Sequence, residues 1–315
     1  MRVLAFLISG FPAWVLICSV LALYRPEFFT WFRGPMITIG LGVIMLGMGI
    51  TLNPEDFKRI PRYRKPIALG VLFQYVLMPM LGWGLSHLFG LSNPLAVGLI
   101  LVASCPGGTA SNVITFLARA NLPLSVSMTA VSTLLAVFMT PTLAIFLTGS
   151  RVEVPALGLF ISTLQVVVFP IVLGASMSKF FPALTRHVLP VAPLAAVTMI
   201  TLIVASIIGD GRQEILMGEA RLLFAVFSLH ALGFLLGYLA TRIIRGSRLT
   251  ARTIAIEVGM QNSGLGVVLA RQNFADPLIA IPSAISSLFH SLIGSLVAGV
   301  WERSFGDLQS EDDEF

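Results

Sequence analysis

The chain is a succession of long apolar runs separated by short polar, Gly-rich or Pro-rich stretches, and this limits what it can fold into. A helix needs about 20 apolar residues to cross a bilayer, and ten runs approach that length. Only 11% of the residues are charged, against about a quarter in a soluble globular protein. The sequence therefore predicts an all-α membrane protein with ten transmembrane helices. These spans are residues 4–23, 35–52, 66–88, 94–118, 123–148, 155–177, 189–208, 222–243, 250–271 and 278–300.

The positions of Lys and Arg predict the orientation of these spans. If the N-terminus is cytoplasmic, the inner loops and tails hold 14 of the 20 Lys and Arg residues, which is the bias that marks cytoplasmic loops. Both termini are therefore expected in the cytoplasm, and the first run is expected to remain a helix and not to be cleaved as a signal peptide. The acidic residues 311–315 are interpreted as a solvated, disordered end. The basic charge thus reflects topology and not nucleic-acid binding, and Cys18 and Cys105 indicate neither a disulfide framework nor a metal site.

The two halves of the chain resemble each other. Residues 107–121 read GGTASNVITFLARAN and residues 259–273 read GMQNSGLGVVLARQN, so their LAR-x-N endings lie 152 residues apart. LGWGL (81–85) and LGFLL (232–236) repeat at a separation of 151. Five spans per half is an odd number, so the second half enters the membrane from the opposite side. The sequence therefore predicts a five-plus-five inverted repeat, as in many secondary transporters; chance similarity of apolar sequence is the alternative.

Each half also carries one interrupted span at a corresponding position. The fourth span contains CPGGTASN (105–112), and the ninth contains GMQNSGLG (259–266). Pro106 removes a backbone donor, and the glycines weaken the helix. Non-helical backbone at membrane depth is tolerated only where it is buried in protein or lines a cavity, and paired interruptions mark transport sites. We expect two broken helices, since the alternative of close packing through small residues does not account for Pro106.

Glu257 is the only carboxylate within a predicted span. A charge at this depth costs about 2.5–3.5 kcal/mol on insertion scales, and no Lys or Arg of the sequence is placed at a comparable depth. Three solutions are open. The carboxyl is protonated, a bound cation neutralises it, or a histidine (His230 or His290) is its partner.

Oxygen-bearing side chains near the breaks favour the bound cation, because hard cations such as sodium prefer hydroxyl, amide, carbonyl and carboxylate oxygens. These side chains are Ser111, Asn112, Ser125, Thr129, Gln74 and Gln261. Hydroxyls that bond back to their own helix are the structural alternative. The half-helices that begin near Thr109 and Asn262 favour an anion at their N-termini. A cation site beside an anion site predicts a symporter.

The sequence resembles the bile acid:sodium symporter family, in particular its bacterial ten-helix members. The stretches that carry the resemblance are CPGGTASNVITFLARANLPLSVSMTAVST (105–133), IEVGMQNSGLG (256–266), GVIMLGMGITLNPEDF (42–57) and HSLIGSLVAG (290–299). The resemblance implies a panel domain of spans 1, 2, 6 and 7 and a core domain of spans 3–5 and 8–10, in which the two broken helices cross. The corresponding ranges are 1–62 and 151–212 for the panel, 63–150 and 213–303 for the core, and 304–315 for a cytoplasmic acidic tail.

The resemblance also implies two coupling sodium ions. The first sodium site would use Ser111, Asn112, Ser125, Thr129 and Glu257. The second would use Gln74, Glu257, Gln261 and the backbone carbonyls of Val258 and Met260.

The residues expected to bind the substrate match the family less well. Relatives that bind bile acids often carry His-Asn where this chain has His290-Ser291, and again where it has His230-Ala231. The resemblance therefore favours a small carboxylate such as pantoate, ketopantoate or pyruvate over a bile acid. The residues expected to bind it are Gly108, Thr109, Asn262, Ser263, His290 and Ser291. His230 is expected to be a hydrogen-bonded core histidine.

The implied protein is a multi-pass symporter of the bacterial inner (plasma) membrane, and not an enzyme. Its expected partners are sodium, a small organic anion and the lipid bilayer, with no nucleic acid and no obligate protein partner. Three other functions stay open. A channel would need a continuous polar pore, an intramembrane enzyme would need a nucleophile–base pair that spacing does not establish, and proton coupling is the closest alternative within transport.

Overall fold

The computed structural model describes residues 10–52, 61–149, 154–216 and 220–303, and within these ranges the chain forms helices and no named strand. The helices are α1 (Phe11–Tyr24), α2 (Pro35–Thr51), α3 (Arg64–Leu88), α4 (Asn93–Ala103), α5 (Ala110–Leu117), α6 (Leu122–Thr148), α7 (Ala156–Phe180), α8 (Pro182–Val188), α9 (Ala192–Asp210), α10 (Arg212–Leu216), α11 (Ala220–Ile243), α12 (Arg248–Gly259), α13 (Ser263–Asn273) and α14 (Ile281–Arg303). Short 3-10 turns occur at Pro26–Phe28 and Pro277–Ala280.

Six of these helices are long and apolar enough to cross a membrane, judged by length and composition. They are α3, α6, α7, α9, α11 and α14, and their ends lie within three residues of the predicted spans. Helices α1, α2 and α4 are shorter and apolar. Residues 4–9 of the first predicted span, Lys58 and Arg59 of a predicted basic loop, and the acidic tail lie outside the described residues. The count of ten spans and the orientation of the termini stay predictions.

The predicted fourth and ninth spans are each two helices in the structure. α4 ends at Ala103 and α5 begins at Ala110, while α12 ends at Gly259 and α13 begins at Ser263. Both interruptions therefore fall where the Pro- and Gly-containing stretches predict them.

The two unwound segments meet and satisfy each other's backbone. Gly108 N donates to Met260 O at 2.8 Å, and Asn262 N donates to Pro106 O at 2.8 Å, which forms an isolated antiparallel bridge centred on Gly107 and Gln261. This pairing supplies hydrogen bonds to backbone groups that the broken helices cannot satisfy internally.

Glycine is required at this crossing because the segments lie too close for a side chain. A Cβ at Gly108 would lie 2.7 Å from Gln261 O, and one at Gly107 would lie 2.9 Å from Glu257 Oε2. The glycines that weaken the helix thus also allow the two breaks to touch.

The helices pack in two groups. α1, α2, α7 and α9 pack against one another, and α3, α4, α6, α11, α12 and α14 do the same. α2 and α7 approach so closely that a Cβ at Gly174 would lie 2.8 Å from Ile50 N, which is packing through small residues. The grouping follows the predicted panel and core ranges, and the division into two domains stays a prediction.

Candidate functional site

Glu257 is a buried carboxylate two residues before the end of α12. The residue is 2% exposed, and no salt bridge to it occurs in the part of the chain that the structure describes. Since a charge inside hydrocarbon is costly, the polar neighbours of Glu257 determine how it is stabilised.

Three hydroxyl groups from α5 and α6 surround the Glu257 carboxylate. Ser111 Oγ donates to Oε1 at 2.6 Å, and Ser125 Oγ also donates to Oε1. Thr129 Oγ1 lies 3.1 Å from Oε1 and 2.9 Å from Oε2. Asn112 adds an amide oxygen, Oδ1, which is 2.9 Å from Ser125 Oγ. The structure therefore brings together all five residues predicted for the first sodium site.

This oxygen cluster contains more acceptors than hydrogens. The single hydroxyl hydrogen of Ser125 faces both Glu257 Oε1 and Asn112 Oδ1. That of Thr129 faces both Glu257 oxygens, Asn112 Oδ1 at 3.4 Å and the Ser125 carbonyl of its own helix at 3.0 Å. A hydroxyl has only one hydrogen to donate, so the surplus oxygens suit a cation that would bind several of them together.

Thr115 is a member of this cluster that the sequence analysis missed. Its hydroxyl is fully buried and donates to Ser125 Oγ at 3.1 Å. It lies four residues after Ser111 on α5, which places both on one helix face. That spacing is the signal that could have found it.

The residues predicted for the second sodium site are brought together only in part. Gln74 Nε2 donates to Gln261 Oε1 at 2.7 Å and to Cys105 O at 2.8 Å. Gln261 Nε2 donates to Val258 O at 3.1 Å. Met260 O accepts the backbone bond from Gly108, and the side-chain hydrogen bonds of Glu257 go to the first cluster.

Gln261 follows Glu257 by four residues, which would place both on one face only if the helix persisted that far, and it does not. α12 ends at Gly259, so Gln261 lies in the bridge between the two breaks, and its side chain turns toward Gln74 on α3. The interruption of the helix therefore separates the two glutamine side chains from the hydroxyl cluster.

A cavity of about 470 Å³ lies between α1, α2 and α9 on one side and the two breaks on the other. Its wall is mostly apolar, for example Leu41, Ile44 and Val197. Its polar end contains five of the six residues predicted to bind the substrate, namely Gly108, Thr109, Asn262, Ser263 and His290. Ser291 is the sixth, and it does not line the cavity; its hydroxyl donates to Ser287 O at 2.5 Å within α14.

Two buried polar groups on cavity-lining residues have no hydrogen-bond partner in the described structure. Asn262 Oδ1 caps α13 by accepting from Leu265 N at 3.1 Å, but Asn262 Nδ2 is unpartnered. Ser287 Oγ is also buried and unpartnered. Buried polar groups are nearly always hydrogen-bonded, so these two groups are candidates to donate to a ligand in the cavity once their side chains turn toward it. Sequence analysis missed Ser287, although it lies one helical turn before His290.

The two intramembrane histidines have different surroundings. His230 is buried, with Nδ1 at 2.8 Å from Gly259 O and Nε2 at 2.7 Å from Ser286 Oγ. Because a carbonyl only accepts, Nδ1 carries the proton and Nε2 accepts from Ser286, which is the core histidine that we expected. His290 lines the cavity, with Nε2 3.3 Å from Ser263 Oγ.

The donor set indicates the kind of cation that would fit. Among the described residues no group of three or more His, Cys, Asp or Glu side chains could hold a metal ion. The available ligands are hydroxyl, amide and carbonyl oxygens around one carboxylate. Oxygen ligands of this kind suit a hard cation and not a soft transition metal.

Unwound segments of two broken helices that meet inside a helical bundle are typical of secondary transporters. The comparisons with known proteins agree with this class, and the chain is a multi-pass membrane transporter. The model of the Sodium Bile acid symporter family matches residues 38–217. The chain belongs to this family.

Its relatives carry transporter names. It is 46% identical over 296 residues, which are 94% of this chain and 74% of the relative, to "Probable sodium/metabolite cotransporter BASS1, chloroplastic" of Arabidopsis thaliana. It is 45% identical over 296 residues, 93% of this chain and 91% of the relative, to "Uncharacterized sodium-dependent transporter YocS" of Bacillus subtilis. These relatives are named as transporters and not as enzymes, and the family is one of sodium-dependent transport.

Proposed function

We propose that this chain is a sodium-coupled symporter of small organic anions, which it carries by alternating access across the bacterial inner membrane. The observation that supports this most directly is the buried Glu257 carboxylate, which is surrounded by hydroxyls and an amide oxygen and has no basic partner among the described residues. A carboxylate in such a place is stable when a cation neutralises it.

The first sodium ion would bind the cluster of Ser111, Asn112, Ser125, Thr129 and Glu257. The second would bind Gln74, Gln261 and the Val258 and Met260 carbonyls, with Glu257 contributing charge. For this the amides of Gln74 and Gln261 would turn their oxygens toward the ion. The two ions would then fix the segments on either side of the bridge, because their ligands come from both broken helices.

The organic anion would bind at the polar end of the cavity, where the N-termini of α5 and α13 face it. Asn262 Nδ2 and Ser287 Oγ are buried donors without a partner, and both residues line the cavity. Together with Thr109, Ser263 and His290 they would bind a carboxylate. The apolar remainder of the cavity would accommodate the rest of a molecule such as pantoate or ketopantoate, and bile acids belong among the candidates to be tested.

Charge balance supports this stoichiometry. Two sodium ions, the Glu257 carboxylate and a monovalent organic acid together carry no net charge. The loaded site therefore avoids the cost of moving an uncompensated charge through the membrane.

The proposal includes the architecture that alternating access requires. The panel helices α1, α2 and α9 form one wall of the cavity, and the two breaks form the other, so relative movement of the two groups would expose the cavity to either side. Ten spans arranged as a five-plus-five inverted repeat, with both termini in the cytoplasm, would complete this arrangement. The reciprocal backbone bonds at the crossing are compatible with such a repeat.

Uptake by purified protein in liposomes tests the proposal. We expect accumulation of pantoate or ketopantoate when a sodium gradient is imposed at fixed pH, and no accumulation when choline replaces sodium. Glu257→Gln, which keeps the shape of the side chain and removes its charge, is expected to abolish the coupling. Glu27→Gln, at an exposed carboxylate paired with Arg25, is the matched control. Equal uptake in choline would reject sodium coupling, and uptake driven by a proton gradient in choline would establish proton coupling instead.

A further inference from the structure

α13 ends with three polar residues of the second LAR-x-N sequence. Each of them binds a different helix of the group formed by α1, α2, α7 and α9, which we call the panel helices. Arg271 Nη2 lies 2.9 Å from Asp210 Oδ2 at the end of α9. Gln272 Nε2 donates to Thr38 Oγ1 on α2 at 3.0 Å. Asn273 Nδ2 donates to Ser162 Oγ on α7 at 3.1 Å.

The backbone of α7 leaves room for the last of these contacts. A Cβ at Gly158 would lie 2.6 Å from Asn273 Oδ1, so a side chain at this position would force the Asn273 amide to move from its present contact. One turn later along α7 lies Ser162, which Asn273 binds.

These contacts lie just beyond one end of the stretch of α2 that borders the cavity, which runs from Leu41 to Thr51. The cavity reaches exposed Thr51 at the C-terminus of α2, whereas Thr38 lies in the first turn of that helix. Thirteen residues separate them, or about 20 Å of helix at 1.5 Å per residue. In the predicted orientation, the cavity reaches the cytoplasmic side and the three contacts lie on the outer side.

We propose that Arg271, Gln272 and Asn273 form a polar clasp that holds α13 against the panel helices and keeps the cavity closed on this side. Opening toward the outer side breaks the clasp, and closing restores it. This inference rests on the proposed alternating-access function, because a clasp has a role only if the two groups of helices separate.

The chemistry of the clasp suits a contact that must open repeatedly. The Arg271 and Asp210 side chains are 28% and 34% exposed, and an ion pair so close to solvent contributes little stability. When the groups separate, water can hydrate all six side chains, so opening exposes no new apolar surface at these positions. α13 also connects the clasp to the site, because Asn262 caps its other end.

Labelling of a cysteine placed in the cavity tests the clasp. Ala196 on α9 lines the cavity, and Ala196→Cys would be exposed to a membrane-impermeant maleimide in right-side-out and inside-out vesicles. The chain without this substitution measures the background from Cys18 and Cys105. We expect Asp210→Ala to raise the rate of labelling from the outer side, where the clasp lies, about two- to fivefold, which is the range set by a partly exposed ion pair. We expect the same variant to lower the rate of labelling from the cytoplasmic side.

The double variant Asp210→Arg with Arg271→Asp is expected to restore the original rates, and Arg212→Ala, at a neighbouring arginine, is the matched control. The triple variant Arg271→Ala, Gln272→Ala and Asn273→Ala should give the largest change. The proposal would be overturned if the labelling rate stayed unchanged in all of these variants. It would also be overturned if the rate rose from both sides of the membrane, as local unfolding would cause. Labelling is measured without sodium or substrate, so sodium-independent uptake by the unmodified chain would reject the proposed function without changing this result.

Discussion

Individual hydroxyls on α6 differ in their expected contribution to sodium binding. Thr129 contacts both oxygens of Glu257, whereas Thr133, one turn later on the same helix, is buried with an unpartnered hydroxyl. A contact to a charged group is worth about 1.5–3 kcal/mol, so Thr129→Val should raise the half-saturating sodium concentration for uptake about tenfold or more.

Thr133→Val is the control for the Thr129 variant, because it makes the same change of atoms without touching Glu257. We expect it to leave the sodium dependence as it is. If the two variants shift the sodium titration equally, the first cluster is not a sodium site.

Ser287 allows a similar comparison for the organic anion. Ser287→Ala removes an unpartnered hydroxyl from the cavity wall, and Ser283→Ala removes an unpartnered hydroxyl one turn earlier on α14, outside the cavity. At saturating sodium, Ser287→Ala should lower the apparent affinity for pantoate about tenfold, the effect of losing one hydrogen bond to a charged group. If the apparent affinity for pantoate is unchanged in both Ser287→Ala and Ser283→Ala, Ser287 does not belong to the substrate site.

At the scale of the helices, the contact between the two breaks depends on glycine. Gly108→Ala would place a methyl group 2.7 Å from Gln261 O, so we expect a lower unfolding temperature and loss of sodium-dependent uptake. Gly84→Ala on α3 is the control, since nothing lies within 4 Å of a Cβ there and alanine favours a helix. A Gly108→Ala protein with normal stability and uptake would show that the breaks need not meet.

The helices were predicted from sequence more completely than the contacts between them. Apolar runs and Pro-Gly interruptions are local signals, and they placed the six long helices and both breaks. Thr115 and Ser287 were missed because a single hydroxyl in an apolar helix usually bonds back to its own helix, although the four-residue spacing of Thr115 from Ser111 was a signal for the first of them. The break also redirected Gln261; the sequence predicted the break at residues 259–266, but not that the side chain would turn toward Gln74.

The π-helical turn in α7 can be related to the sequence only once the structure is known. α7 contains a π-helical turn at Leu164–Val168, which ends two residues before Pro170, the second residue of the next α-helical segment. Proline has no N–H to continue the helical ladder, and wider turns occur where that ladder is interrupted. Proline within helices α3 and α6 is accommodated without such a turn, so the residue alone does not predict it.

At the scale of the whole molecule, the proposed cycle moves charge. The loaded site is neutral, and the empty transporter returns with the negative Glu257, so each cycle carries one net positive charge inward. Uptake should therefore increase when the inside is made negative with a potassium gradient and valinomycin. Uptake that is insensitive to the membrane potential would require a different stoichiometry or a protonated Glu257 on the return.

The central claim is that sodium at the buried carboxylate prepares the two broken helices to bind an organic acid. Calorimetric titration of pantoate into the purified protein, in sodium or in choline at equal ionic strength, tests it most directly. The account predicts binding heat in sodium and none in choline, and loss of the sodium-dependent heat in Glu257→Gln. Equal affinity in the two salts would contradict it.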